Sequence, residues 1–78
     1  MGKTQGGVTM ADRQVVVEGS GSNLYRIGES GGRFYVSRVT VGLLFNDYTS
    51  IGTTTSLEDA LALIRSDSGR NIKSISEW

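Results

Sequence analysis

The chain has 78 residues, balances eight basic against eight acidic side chains, and contains neither Cys nor His. This composition excludes disulfide staples, Cys/His zinc sites and any mechanism built on a histidine base or a cysteine nucleophile. The length suits one small domain, which hides only about 60% of the surface its unfolded chain exposes, and the charge balance lacks the basic excess with which duplex-binding domains neutralise phosphates.

Charge is mildly polarised along the chain. Residues 1–40 hold five basic and three acidic side chains, and residues 41–78 hold three and five. No stretch approaches the run of about 18 apolar residues that a membrane helix needs. The beginning also lacks the apolar block of a secretory leader. The expectation is a soluble, cytoplasmic protein with no membrane partner.

The opening "MGKTQGGVTMADR" is Gly-rich, polar and aperiodic, so residues 1–13 are expected to be a flexible tail. Residues 14–78 then form a single small domain. "GKT" at 2–4 has the last letters of a phosphate-binding loop but none of its upstream glycine or strand. "QVVVEG" places three β-branched residues in a row and predicts a first strand. "GSGSNL" at 19–24 approaches a dinucleotide fingerprint. It lacks the third glycine, however, and is followed by strand-forming residues, so it reads as a hairpin turn.

"LYRIGE" predicts a second strand, with Tyr25 and Ile27 on one face and Leu24 and Arg26 on the other. "SGG" at 30–32 is a tight turn. "RFYVSRVTV" is the clearest strand, with Phe34 and Val36 opposite Arg33 and Tyr35. Its apolar phase has changed face by Val39 and Val41, which points to a bulge near Ser37–Arg38 or to cover on both sides. "GLLFNDYTSIG" is expected to be a loop or hairpin tip leading into a short strand near 48–53.

A helix is predicted at about 56–67, because Leu57, Leu61 and Ile64 with Ala60 form one apolar stripe. Thr55 and Glu58 match a capping box, and Ser56 with Asp59 is a near match one residue later. Gly69 is a natural stop, and "NIKSISEW" predicts a final strand. The fold class is therefore α+β: a three- to four-stranded, mainly antiparallel sheet, one helix on one face, and a strand after the helix. The predicted core is Val15, Val17, Tyr25, Ile27, Phe34, Val36, Val39, Val41, Leu57, Ala60, Leu61, Ile64, Ile72 and Ile75.

Two stretches invite a functional reading. Thr53, Thr54, Thr55 and Ser56 precede a helix N-terminus, where amides and hydroxyls bind anions. Glu58 and Asp59 repel an anion there, and capping consumes the same amides, so Thr54, Thr55 and Ser56 are at most a weak anion site. The hairpin carries Tyr25, Arg26, Arg33, Tyr35 and Arg38, and arginine interleaved with aromatics on an open sheet can stack single-stranded bases. Trp78 adds a further aromatic anchor.

The serines have no base to activate them, and no catalytic, cofactor-binding or metal-binding residue is assigned. The expected function is a non-catalytic interaction module. It would bind a protein partner, or itself as a homodimer, through an open sheet face or an edge strand. Single-stranded nucleic-acid binding is the alternative.

Overall fold

A computed structural model describes residues 11–78. In chain order the elements are β1 (Ala11–Val17), β2 (Leu24–Ser30), β3 (Arg33–Thr40), β4 (Asp47–Thr54), α1 (Leu57–Ser68) and β5 (Ile72–Glu77). All five strands join one antiparallel sheet in the order β4-β3-β2-β1-β5. The α+β class, the helix on the sheet and the strand after it are as expected. The sheet has one strand more than the three to four predicted, because the polar β4 and β5 both pair as edges. β1 takes in residues 11–13, which the sequence assigns to the tail. Residues 1–10 of that expected tail lie outside the described residues.

The β2–β3 hairpin closes through Gly31 and Gly32, both at positive φ (59° and 77°), between the paired residues Ser30 and Arg33. A two-residue turn of this hand matches the twist of the flanking strands, and glycine adopts it without steric cost. After the helix, the chain crosses to the far edge and β5 pairs with β1, with Val15 opposite Ile75.

The helix begins at the N-cap Ser56, whose hydroxyl accepts from the Asp59 amide at 3.1 Å. The capping residue is therefore Ser56 rather than Thr55. The helix ends at Gly69, which is left-handed and donates its amide to the Arg65 carbonyl at 2.8 Å. Ala60 and Ile64 are fully buried against Val15, Val17, Tyr25, Ile27 and Val36, with Phe34, Ile51, Leu57, Leu61, Leu63 and Ile72 packed around them. Leu63 lies so near Gly52 that a β-carbon there would come within 2.7 Å of Leu63 Cδ2. A bare glycine thus allows the helix to settle on β4.

Two predicted core residues are exposed. Val41 is 68% exposed because it falls in the loop after β3. Ile75 is 45% exposed because β5 is an edge strand, and the helix lies over β3 and β4 instead.

The phase change in β3 also has a structural explanation. The register irregularity lies at Val36/Ser37, but the extra residue is Ile51 on β4, since Val36 pairs with Gly52 and Ser37 with Ser50. β3 itself alternates without a break. Alternation puts Arg38 on the helix face with Phe34 and Val36, where it pairs with Asp67 of the helix, and Val39 is buried on the opposite face between its cross-strand neighbours Leu24 and Tyr48. The strand is covered on both sides at that level.

Candidate functional site

The register arranges the helix-free face in three rows. One row runs Asp12, Gly28, Tyr35, Thr53, and Trp78 joins it where its amide donates to the Asp12 carbonyl at 3.0 Å. The next row is Ser76, Gln14, Arg26, Ser37, Ser50, and the third is Ser74, Val16, Leu24, Val39, Tyr48. The larger side chains of Arg26, Tyr35 and Tyr48 flank small ones at Gly28 and Ser37. The result is a shallow cleft of about 340 Å³ lined by Asp12, Arg26, Gly28, Tyr35, Ser37 and Tyr48.

Arg26 is the centre of this face. Its guanidinium lies 5.3 Å from the Tyr48 ring centroid and 5.0 Å from that of Trp78. The two rings are 6.1 Å apart. Tyr48 belongs to one edge strand and Trp78 follows the other, so one arginine links the two edges through cation–π contacts. Arg26 also pairs with Asp12 Oδ2, and this carboxylate is the main reason that its pKa is raised above the ordinary arginine value.

The second oxygen, Asp12 Oδ1, is buried and has no hydrogen-bond partner among the described residues. It sits directly over Gly28, where a β-carbon would stand 3.2 Å away. A buried acceptor in this state carries an unrecovered desolvation cost.

The structure divides the six partner-binding candidates between two faces. Arg26, Arg33, Tyr35 and Trp78 fall on the helix-free face or its rim, with Tyr35 and Trp78 nearly half exposed and Arg33 at the exposed hairpin tip. Tyr25 and Arg38 fall on the helix side. The Tyr25 hydroxyl donates to Asp67 Oδ2 at 2.7 Å, and Arg38 grips the same carboxylate with contacts of 2.8 to 3.1 Å. Burial is the first cause of the raised Tyr25 pKa, and the Arg38 hydrogen bonds are the first cause of the lowered Asp67 pKa.

The hydroxyls before the helix bond within the cap. Thr54 Oγ1 donates to the Ser56 carbonyl at 2.8 Å, and Ser56 Oγ accepts from Asp59, while Thr55 is exposed.

Sequence reasoning missed Asp12 and Tyr48. Asp12 stood in the expected tail, although it alternates with Gln14 and Val16 as strand residues do. Tyr48 is displaced from a simple pattern by the Ile51 bulge. Among the described residues, no three His, Cys, Asp or Glu side chains gather as a metal site, and no helix is long and apolar enough to cross a membrane.

No family model matches the chain, and neither a curated protein nor a solved structure matches it.

Proposed function

We propose that the chain is a non-catalytic interaction module that binds a protein partner on the helix-free face of its sheet. The observation that carries this reading is Arg26 held between Tyr48 and Trp78 beside the exposed Tyr35. Tyr, Trp and Arg are the side chains that most often dominate binding energy at protein interfaces. Here they are held in place before any partner arrives, which lowers the ordering cost of association. The fitting partner segment brings an apolar or aromatic side chain over Gly28 and Ser37. The absence of Cys and His from the chain supports a binding role over a catalytic one. A cysteine-free domain also suits the reducing cytoplasm.

Single-stranded nucleic-acid binding receives less support from the geometry. Tyr25 and Arg38 are turned to the other face, and the charge of Arg26 is already met by Asp12.

The test begins with a photo-crosslinking amino acid at position 35 in the source cell. The captured protein is identified, purified and titrated against the domain. Tyr35→Ala and Trp78→Ala are each expected to weaken that binding at least tenfold, by about 1.4 kcal/mol, while Glu58→Ala on the helix leaves it unchanged. Equal affinity for Tyr35→Ala, Trp78→Ala and the parent overturns the proposal. Salt-sensitive binding of a single-stranded oligonucleotide that is lost in Arg33→Ala establishes the alternative instead.

A further inference from the structure

Four apolar side chains of the β3–β4 loop stand in solvent: Val41, Leu43, Leu44 and Phe45, with Leu43 at 104% and Leu44 at 91% exposure. The loop is held in this form by a tight turn, in which Gly42 lies so close to the Phe45 carbonyl that a β-carbon would not fit. β4, the strand that leaves this loop, is one edge of the sheet. Its outer row of N–H and C=O groups pairs with no strand among the described residues.

We propose that the free edge of β4, together with the Val41–Phe45 loop, is a contact surface for a second copy of this chain.

Three observations select a second copy as the occupant. The first is charge. A two-fold interface sets a surface against itself, so charges near the axis meet their like and a patch of one sign repels its copy. Residues 39–46 contain no charged side chain and β4 contains one, Asp47. The opposite edge, β5, carries Lys73 and Glu77 and has a register shift in its pairing with β1, which are common ways of blocking edge-to-edge pairing.

The second is area. Four such side chains at roughly 100–200 Å² each supply about 400–800 Å² per copy, which places a two-fold pair near or above the about 1,000 Å² of a specific interface. The third is size. A cysteine-free chain of 78 residues has a thin core and lacks disulfides, so association is the remaining common source of stability. Antiparallel pairing along the regular half of β4, Asp47–Ser50, lays each loop beside the second half of its partner strand. This surface is separate from Tyr35 and Trp78, so it can operate whether or not the open face binds a protein.

Sedimentation velocity on the full chain from about 1 µM to about 1 mM tests the proposal. A dimer is expected within that range. The Leu43→Ser/Leu44→Ser double variant and the edge variant Ser50→Lys are each expected to weaken it at least about 100-fold, with circular dichroism confirming the fold. Because the chain has no cysteine, a single Thr49→Cys gives an independent measurement that needs no disruptive change. A short bismaleimide is expected to join two such chains, and not two Ser74→Cys chains cut off from each other on the β5 edge. A chain that stays monomeric throughout, variants that dimerise like the parent, or Thr49→Cys chains that remain unjoined overturn the proposal.

Discussion

Asp67 binds Tyr25 and Arg38 at once, and this small network carries a pH signature. Both partners favour the ionised carboxylate, so its pKa in the folded chain lies below the ordinary value of 3.8. The unfolded chain regains that ordinary value. The stabilisation is therefore complete above it and is lost as pH falls through the folded-state pKa. Urea melts at about pH 6 and about pH 2.5 are expected to show an acid loss that shrinks in Asp67→Asn. Tyr25→Phe removes one hydrogen bond and is expected to cost about 0.5–1.5 kcal/mol.

Arg26 makes a different prediction. Arg26→Ala leaves Asp12 unpaired and removes the support between Tyr48 and Trp78. The loss is expected to be about 1–3 kcal/mol. Trp78 is the chain's one tryptophan, so its fluorescence should shift to the red; an unchanged spectrum would mean that Arg26 does not hold it. The alternation in "LYRIGE" already set Tyr25 apart from Arg26. Alternation in β3 likewise set Arg38 on the side of Phe34 and Val36; its partner was hidden, because Asp67 lies 29 residues away.

At the scale of elements, the helix was the most legible part of the chain. Its apolar stripe, its stop at Gly69 and its start within one residue depend on neighbours three or four positions apart. The choice between two overlapping caps was not legible, since Thr55 and Ser56 both offer a hydroxyl. Ser56→Ala is expected to cost about 1 kcal/mol and Thr55→Ala far less, read from thermal melts. The fully buried Ile64 should be the more sensitive core position: Ile64→Ala is expected to cost about 2–5 kcal/mol, and half-buried Leu61→Ala less. Gly52→Val places branches against Leu63 and is expected to lose about 1–3 kcal/mol. That close approach left no mark in the sequence beyond a glycine within a strand pattern.

Across the whole molecule, the helix shields one side of a five-stranded sheet, and the other side holds its own polar and aromatic cluster. Stability should follow the strand order. Amide exchange is expected to be slowest in β1, β2 and β3, which are paired on both sides, and faster in the edges β4 and β5. Equal protection in β4 at high protein concentration, falling on dilution, would accompany the proposed dimer.

The amino-acid sequence alone determined the α+β class, the hairpin at Gly31–Gly32, the helix and its stop, and the absence of cysteine and histidine chemistry. Each of these follows from composition or from residues a few positions apart. The tertiary structure decided that β5 closes onto β1, that Ile51 is the extra residue, and that Arg26 rather than Arg38 meets Tyr48 and Trp78. These depend on strand order and register, which are set by the combined packing of side chains tens of residues apart.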